Sequence, residues 1–592
     1  MTSTLDTPNR TERRWKTRDL WLSLAGLVSL ALAVGAAASV VLPVSSDLGL
    51  AAVLPYPYWV GVLLLNATFF VALRGDATGP ASRPVMMWLL AVQVIVLFGV
   101  AALVTDVPRG EVAFRHLGIA DALSDMQRVD PNIDAYFNWP GFFALLATVL
   151  EATGLDPVTV ALWAPVFNVG LWLAAVAVIT GYLTRDPRRR WLVLWLFCLG
   201  NWQDQDYLSP QAFGVFLYFV VVAMLVGPLA ARSDKFPGLR RAALAAWWRG
   251  RSPAEPRPGH RVGALAVVLL LIPVITASHQ LTPFMLLIVI TTLTLSGRVW
   301  PSRLPLIAGV VLVLWLVYPA STYLAGHPPI EDAGLQIAAE ANVVERVSGT
   351  AGHLLVVQLR VVLTVVLWVL AAVGAVLAWR RGRLDMRVVL LAVSPLLLFP
   401  AQAYGGEMLI RVSLFALPFI ALLACSVLLP GDGSTQPSPR AAGGLALTCF
   451  LLAVLTVTGR FGNAQYDVFT DSEMDAVATV ERLAPPGSTI LSAAHPTPWR
   501  SDSYLEHRYR TMDDLCQEDF TTATCGPIVY NYAAQNPNGA HLLFMRSTEA
   551  SVVLQGDSST QGFAEFEEWL SMQNGVELVF SNTDARIYRV TP

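Results

Sequence analysis

The feature that most limits what this chain can become is the recurrence of apolar stretches about as long as a bilayer is thick. Thirteen runs alternate with polar breaks, at 20–43, 50–73, 84–105, 159–183, 191–203, 211–230, 262–277, 283–297, 304–320, 361–379, 387–401, 411–429 and 441–459. Crossing roughly 30 Å of hydrocarbon takes about 20 helical residues. Backbone polar groups in lipid must be satisfied within the segment, so each run is read as helix. With 55% hydrophobic and only 14% charged residues, the chain carries too little charge for a water-soluble globule. The reading is a polytopic α-helical membrane protein of about thirteen transmembrane helices.

Basic residues set its orientation. With residues 1–19 as a cytoplasmic tail, 26 of the 40 Lys and Arg fall on the inner side, 6 in outer loops and 8 in the tail after the last run. That asymmetry places the chain in the cytoplasmic membrane with the N-terminus inside and the C-terminal segment outside. The first run is longer than the 7–15 apolar residues usual in a signal peptide, so it is read as a retained helix. The stretch LRRAALAAWWRG, in the Arg-rich loop at 231–261, is amphipathic and suited to the anionic inner leaflet.

Two outer loops interrupt the transmembrane domain (20–460), at 106–157 and 321–358. The first holds Asp106, Glu111, Asp121 and Asp125, then the aromatic cluster Tyr136-Phe137-Asn138-Trp139-Pro140. After it, Gly141 to Gly154 is apolar but too short to span, and is expected to lie along the interface. The second loop contains GLQIAAEANVVERV, which has helical periodicity.

The run ending at NWQDQDYLSPQ gives only about 18–20 Å of helix. Asp204 and Asp206 should therefore sit below the outer surface, where an idle charge costs about 2.5–3.5 kcal/mol. They are read either as lining a protein-walled cavity or as pairing with Arg and capping the helix that starts at Ser209-Pro210. Short runs also end in polar residues at ASHQLTP (277–283) and QAYGGEMLIR (402–411). Three tight outer turns thus hold most polar groups at membrane depth, which a cavity open to the outer leaflet explains.

Residues 461–592 are polar, with helical patterns at SEMDAVATVERLA and FAEFEEWLSMQ. Strand-like STILSAA, HLLFM, SVVLQ, VELVF and ARIYRV alternate with them. A small extracytoplasmic α/β domain with one core is expected, covering the site or recognising a substrate. Cys516 and Cys525 lie there, where an oxidising space would let them pair. Cys198, Cys425 and Cys449 fall inside apolar runs and act as small apolar fillers.

The acidic loop, the aromatic-Pro knee, the short helix and the following run with Pro157 and Pro165 resemble the first outward loop of the GT-C superfamily of membrane glycosyltransferases. In topology the resemblance covers roughly 84–460, and the loop at 321–358 is placed like the substrate-covering loop of oligosaccharyltransferases. It implies a GT-C-like fold and hexosyl or pentosyl transfer from a polyprenyl-(di)phosphate donor to a glycan, lipid or protein acceptor at the outer face. Membrane lipid is a further partner, nucleic acid is not, and a divalent metal (Mg or Mn) is compatible with the chemistry.

Transfer needs a carboxylate to take the acceptor's proton and cationic groups for the departing phosphate. The catalytic candidates are Asp106, Glu111, Asp121, Asp204 and Asp206. Phe114-Arg115-His116 stand where the family would have an Asp-Glu pair, which shifts the acid's role to Glu111 or Asp106 and adds Arg115 and His116 as substrate contacts. Arg411 resembles the Arg that faces lipid phosphate in the family, and a guanidinium can grip phosphate bidentately. It could equally bridge to Glu407, four residues earlier. His279, Gln280, Tyr207 and Gln211 are further binding candidates. Two other classes stay open: a transporter or flippase of lipid-linked saccharide, and a non-catalytic envelope-assembly protein.

Overall fold

The computed structural model describes residues 10–76, 79–231, 260–326, 334–344, 348–401, 406–430, 436–516 and 520–591. Among the described residues, seven helices are long and apolar enough to cross a membrane: Thr17–Ala37, Tyr56–Arg74, Pro157–Leu183, Arg261–Ser278, Ala351–Arg380, Met408–Leu428 and Pro439–Phe461. Shorter apolar helices, including Arg83–Phe98, Pro210–Val226, Thr282–Leu295 and Leu304–Val317, pack among them. Helix occupies every one of the thirteen apolar runs.

Local sequence explains where several helices start. Pro stands in the first turn after a side-chain cap at Asp156-Pro157, Asp186-Pro187, Ser209-Pro210 and Ser438-Pro439. The cap oxygen takes an otherwise orphaned N–H, and Pro has no N–H to lose there. Helix Met408–Leu428 is the most enclosed of the long helices, with 83% of its apolar window buried against 28% for Ala351–Arg380. The latter presents Val361, Val365, Val369 and Val376 outward while Leu363, Leu367 and Ala371 face the bundle. An exposed aliphatic stripe of that length needs lipid, not water, and the chain is a multi-pass membrane protein.

The first outer loop folds as a helix Glu111–Met126, a turn at Ala135–Asn138 and a helix Gly141–Thr153. The knee is anchored at Asn138, whose carbonyl accepts from Trp315 Nε1 (3.2 Å) and whose Oδ1 accepts from the Tyr323 N–H (3.2 Å). In the second loop a helix Leu335–Ala339 continues as a wider turn, Glu340–Val344. The amphipathic stretch 239–250, residues 327–333 and 345–347 of the second loop, and 402–405 of the third polar turn lie outside the described residues.

The C-terminal segment forms a mixed five-stranded sheet: β1 Thr489–Ser492, β2 Arg508–Thr511, β3 Ala540–Met545, β4 Val576–Ser581 and β5 Ala585–Val590. Strand order is β2-β1-β3-β5-β4, with β1 parallel to β2 and β3, and β5 antiparallel to β3 and β4.

Two sequence expectations need correction here. SVVLQ is not a strand but the end of the helix Arg546–Gln555. Thr548 accepts the Met545 N–H at its start (3.1 Å) and Gly556 closes it in the left-handed region, and these end signals override a short Val-rich apolar run. Nor is there one core: β3 is buried throughout, with Leu542 and Phe544 in one cluster and Leu543 and Met545 in another on the opposite face. A strand covered on both faces is apolar at every position.

The sheet and its helices are fastened at three places, to the segment just past the last span and to the second and first loops. Arg546 donates to the Gln465 carbonyl (2.6 Å) and the Val468 carbonyl (2.9 Å), just past the last span. The Thr350 N–H donates to the Leu554 carbonyl (2.9 Å). Tyr504 donates to Asp134 in the first loop (2.8 Å), and Gly118 lies so close to Arg500 that a Cβ there would run into its carbonyl.

Candidate functional site

A cavity of about 580 Å³ lies where the first loop, the bundle end and the C-terminal domain meet. Its bundle wall begins where helix Pro187–Gly200 stops and the chain turns through 201–209. Asp204 adopts a left-handed backbone (φ 58°), a region Asp tolerates better than most non-glycine residues. Its carboxylate pairs with Arg109 and with Arg460 (3.1 Å). Asp206, fully buried, receives both terminal nitrogens of Arg460, one at 2.9 Å, and Asn201 Nδ2 at 3.2 Å.

Two guanidiniums are fixed by backbone and ring contacts. Arg109 donates to the Arg460 carbonyl (2.6 Å), lies 3.9 Å from Asp467 and sits over Phe461. Burial lowers its pKa to about 10, so it remains cationic at neutral pH. Arg360 donates to the Gly459 carbonyl (2.7 Å) and lies over the Trp202 ring. Both line the cavity with Arg411 and Arg460.

Glu111, also in the lining, opens its helix, with its side chain 27% exposed and 3.8 Å from His495 Nδ1. Burial pushes the Glu111 carboxyl up to about 7, against the pull of His495 and Arg500. His495 also meets Asp514 (Nε2 to Oδ1, 3.0 Å), and its N–H donates to Asp513 (3.0 Å). Burial works against the imidazolium, but Asp513, Glu111 and Asp514 together raise its pKa.

Of the candidates read from sequence, Glu111, Asp204, Tyr207, Glu407 and Arg411 line this cavity. Arg411 and Glu407 form the ion pair that was the alternative to a phosphate contact. Asp206 lies beneath the wall as the partner of Arg460. Asp106 and Asp121 are exposed and outside the lining.

Arg115 pairs with Asp134 and covers Tyr136. His116 is buried against Tyr136 and Tyr207, with Nδ1 2.7 Å from the Leu208 carbonyl. Burial pushes its pKa down to about 3, so the ring is neutral and Nδ1–H is the donor. His279 Nδ1 accepts the Thr282 N–H (3.2 Å) at the start of the next helix. Gln211 is buried in the first turn of Pro210–Val226, and Gln280 is half-buried outside the lining. Cys516 and Cys525 form a disulfide, and Cys198, Cys425 and Cys449 are free and buried.

Sequence reasoning missed Arg109, Arg360, Arg460, Asp467, His495 and Asp513. Among the described residues, His495, Asp513 and Asp514 have ligand atoms within 4.8 Å of one another, the spacing a divalent cation would need. Asp204 and Asp206 are a poor donor set for a metal because guanidinium already neutralises them.

No family profile and no curated protein matches the chain. Several solved structures resemble it over most of the chain at low identity. ArnT from Cupriavidus metallidurans bound to undecaprenyl phosphate shares 10% identity over 86% of this chain and 97% of its own, with a TM-score of 0.45. The Archaeoglobus fulgidus oligosaccharyltransferase tethered to an acceptor peptide shares 11% over 89% and 74%, at 0.44. The arabinofuranosyltransferase AftD from Mycobacteria shares 13% over 86% and 42%, at 0.45.

Proposed function

We propose that this chain is a membrane glycosyltransferase moving a sugar from a polyprenyl-(di)phosphate to an acceptor hydroxyl at the extracytoplasmic face. The observation that carries the reading is that one cavity is lined both by guanidiniums (Arg109, Arg360, Arg411, Arg460) and by an up-shifted carboxyl (Glu111). The cavity lies at the end of the bundle remote from the Arg-rich loops, which the charge asymmetry assigns to the cytoplasm.

In this reading Arg360 holds the lipid phosphate, with Arg411 beside it already paired to Glu407, and stabilising the phosphate as it leaves is the dominant electrostatic contribution. Glu111, near neutrality, takes the acceptor proton. Asp204 orients Arg109 and Arg460, and Asp206 keeps Arg460 in place rather than acting as base.

Translocation of a lipid-linked saccharide has one observation behind it: a second cavity, about 420 Å³, lined by Asp186, Arg188, Leu429 and Ser438. It lies at the other end of helix Met408–Leu428, about 27 Å from Arg411 at 1.5 Å per residue. The helix between the two cavities is buried along nearly its whole length. Two separated cavities with a packed core between them favour chemistry at one over transport through both.

The test is binding of polyprenyl phosphate to the full chain in nanodiscs, against the matching polyprenol. Phosphate-dependent binding that Arg360→Ala weakens about tenfold or more, in line with loss of a charge-assisted bond, is expected. Equal binding of phosphate and alcohol would overturn the reading.

A further inference from the structure

The charges around the cavity are sorted by the part of the chain that supplies them. The bundle and its loops contribute the four guanidiniums of the lining, Arg109, Arg360, Arg411 and Arg460, together with Asp204 and Glu407, which pair with three of them. The segment after the last span contributes Asp467, His495, Asp513, Gln555 and Asp557, with no Lys or Arg among its lining residues. Glu111, facing His495, extends that acidic side. The guanidiniums of the lining therefore all come from the bundle side, whereas the segment after the last span brings carboxylates and one histidine.

The volume suits two sugar-sized groups, being inside the range of small-ligand sites, about 300–1,000 Å³. Tyr136, Tyr207 and Tyr466 add ring faces to the lining. A carboxylate only accepts hydrogen bonds, so this wall recognises hydroxyl donors. It repels anions, since like charges brought together across an interface are strongly disfavoured.

We propose that the wall supplied by the C-terminal domain is the acceptor subsite, and that it selects an uncharged, hydroxyl-rich glycan over an anionic one through Glu111, Asp513 and Asp557. The proposal rests on the glycosyl-transfer reading and specifies its acceptor. An acceptor hydroxyl on this wall attacks the anomeric carbon of the donor and forms the new C–O bond. The bond from that carbon to the phosphate oxygen breaks, with its electron pair leaving on the lipid phosphate, and the hydroxyl proton passes to Glu111.

The experiment uses the full chain in nanodiscs and saturation-transfer NMR. A neutral oligosaccharide is compared with a uronic-acid oligosaccharide of equal length and with an uncharged peptide, and polyprenyl phosphate binding is measured separately. The neutral glycan should bind at least about tenfold more tightly than the anionic one at low salt, and the gap should narrow as salt screens the wall. Asp513→Asn with Asp557→Asn should reduce the gap to about threefold or less while polyprenyl phosphate still binds. Equal binding of both glycans, a gap insensitive to salt, preference for the peptide, or a gap unchanged in the double variant overturns the proposal. Loss of phosphate-lipid binding in the unsubstituted chain would instead sink the transferase reading. The salt series on the unsubstituted chain decides the matter even if the double variant does not fold.

Discussion

Arg460→Met is the substitution whose cost the structure fixes most directly. Asp206 is fully buried and takes two bonds from this one guanidinium; without it the carboxylate keeps Asn201 Nδ2 at 3.2 Å as its remaining side-chain donor. Asp204 loses a partner at the same time and retains Arg109. Removing one partner of a buried pair costs about 3–5 kcal/mol, mostly from the stranded charge. Removing both charges, as in Asp206→Asn with Arg460→Met, should recover about 2–3 kcal/mol of that loss. The assay is a double-mutant cycle in detergent micelles, with stability read from SDS-induced unfolding. A single variant within about 0.5 kcal/mol of the unsubstituted chain, or strictly additive effects, would refute the argument, because a stranded buried carboxylate cannot be that cheap.

Glu111→Gln should abolish transfer, and in the unsubstituted enzyme the rate should fall as pH drops through about 7, because the deprotonated carboxylate is the working form; a flat profile from pH 5.5 to 8.5 would exclude it as base. The raised pKa also favours the folded state most below the ordinary Glu value of 4.5, and that benefit is lost as pH rises through about 7. Thermal melts should accordingly find Glu111→Gln more stable than its parent at pH 8 and equal to it at pH 4. Gly118→Leu, which drives a side chain into the Arg500 carbonyl, should cost about 1–3 kcal/mol and speed hydrogen exchange at 500–504; unchanged exchange would mean that the domain is seated elsewhere. Replacing Cys516 and Cys525 by Ser opens a loop with nine residues of separation and should lower domain stability by about 2–3 kcal/mol in the chain-entropy relation, measured by denaturant titration.

What the sequence disclosed depended on whether the cause was local. Apolar length, Ser209-Pro210 and the short run before Asp204 are read within a few residues, and the helices and the polar depth of Asp204 follow from them. Arg460 gives no such cue: it ends an ordinary apolar helix, and its partner Asp206 lies 254 residues earlier. Arg109 likewise looks like one basic residue in an outer loop until Asp204, Asp467 and Phe461 surround it.

Glu111, Asp106 and Asp121 are chemically alike in the sequence. Only the seating of the C-terminal domain on the first-loop helix encloses the first and leaves the other two exposed. SVVLQ shows the opposite error: its short Val-rich run is strand-like in composition, but the residues at either end make it the close of a helix.

The three fastenings of the C-terminal domain, at Gly118 and Tyr504, at Thr350 and at Arg546, bear on traffic. A roof tied down on several sides does not hinge open to admit cargo. On the glycosyl-transfer reading proposed above, the two reactants would then come and go sideways, one through the plane of the lipid and the other along the water-facing rim. The clearance of those two gaps, rather than the lifting of a cover, would set how bulky a molecule can reach the chamber.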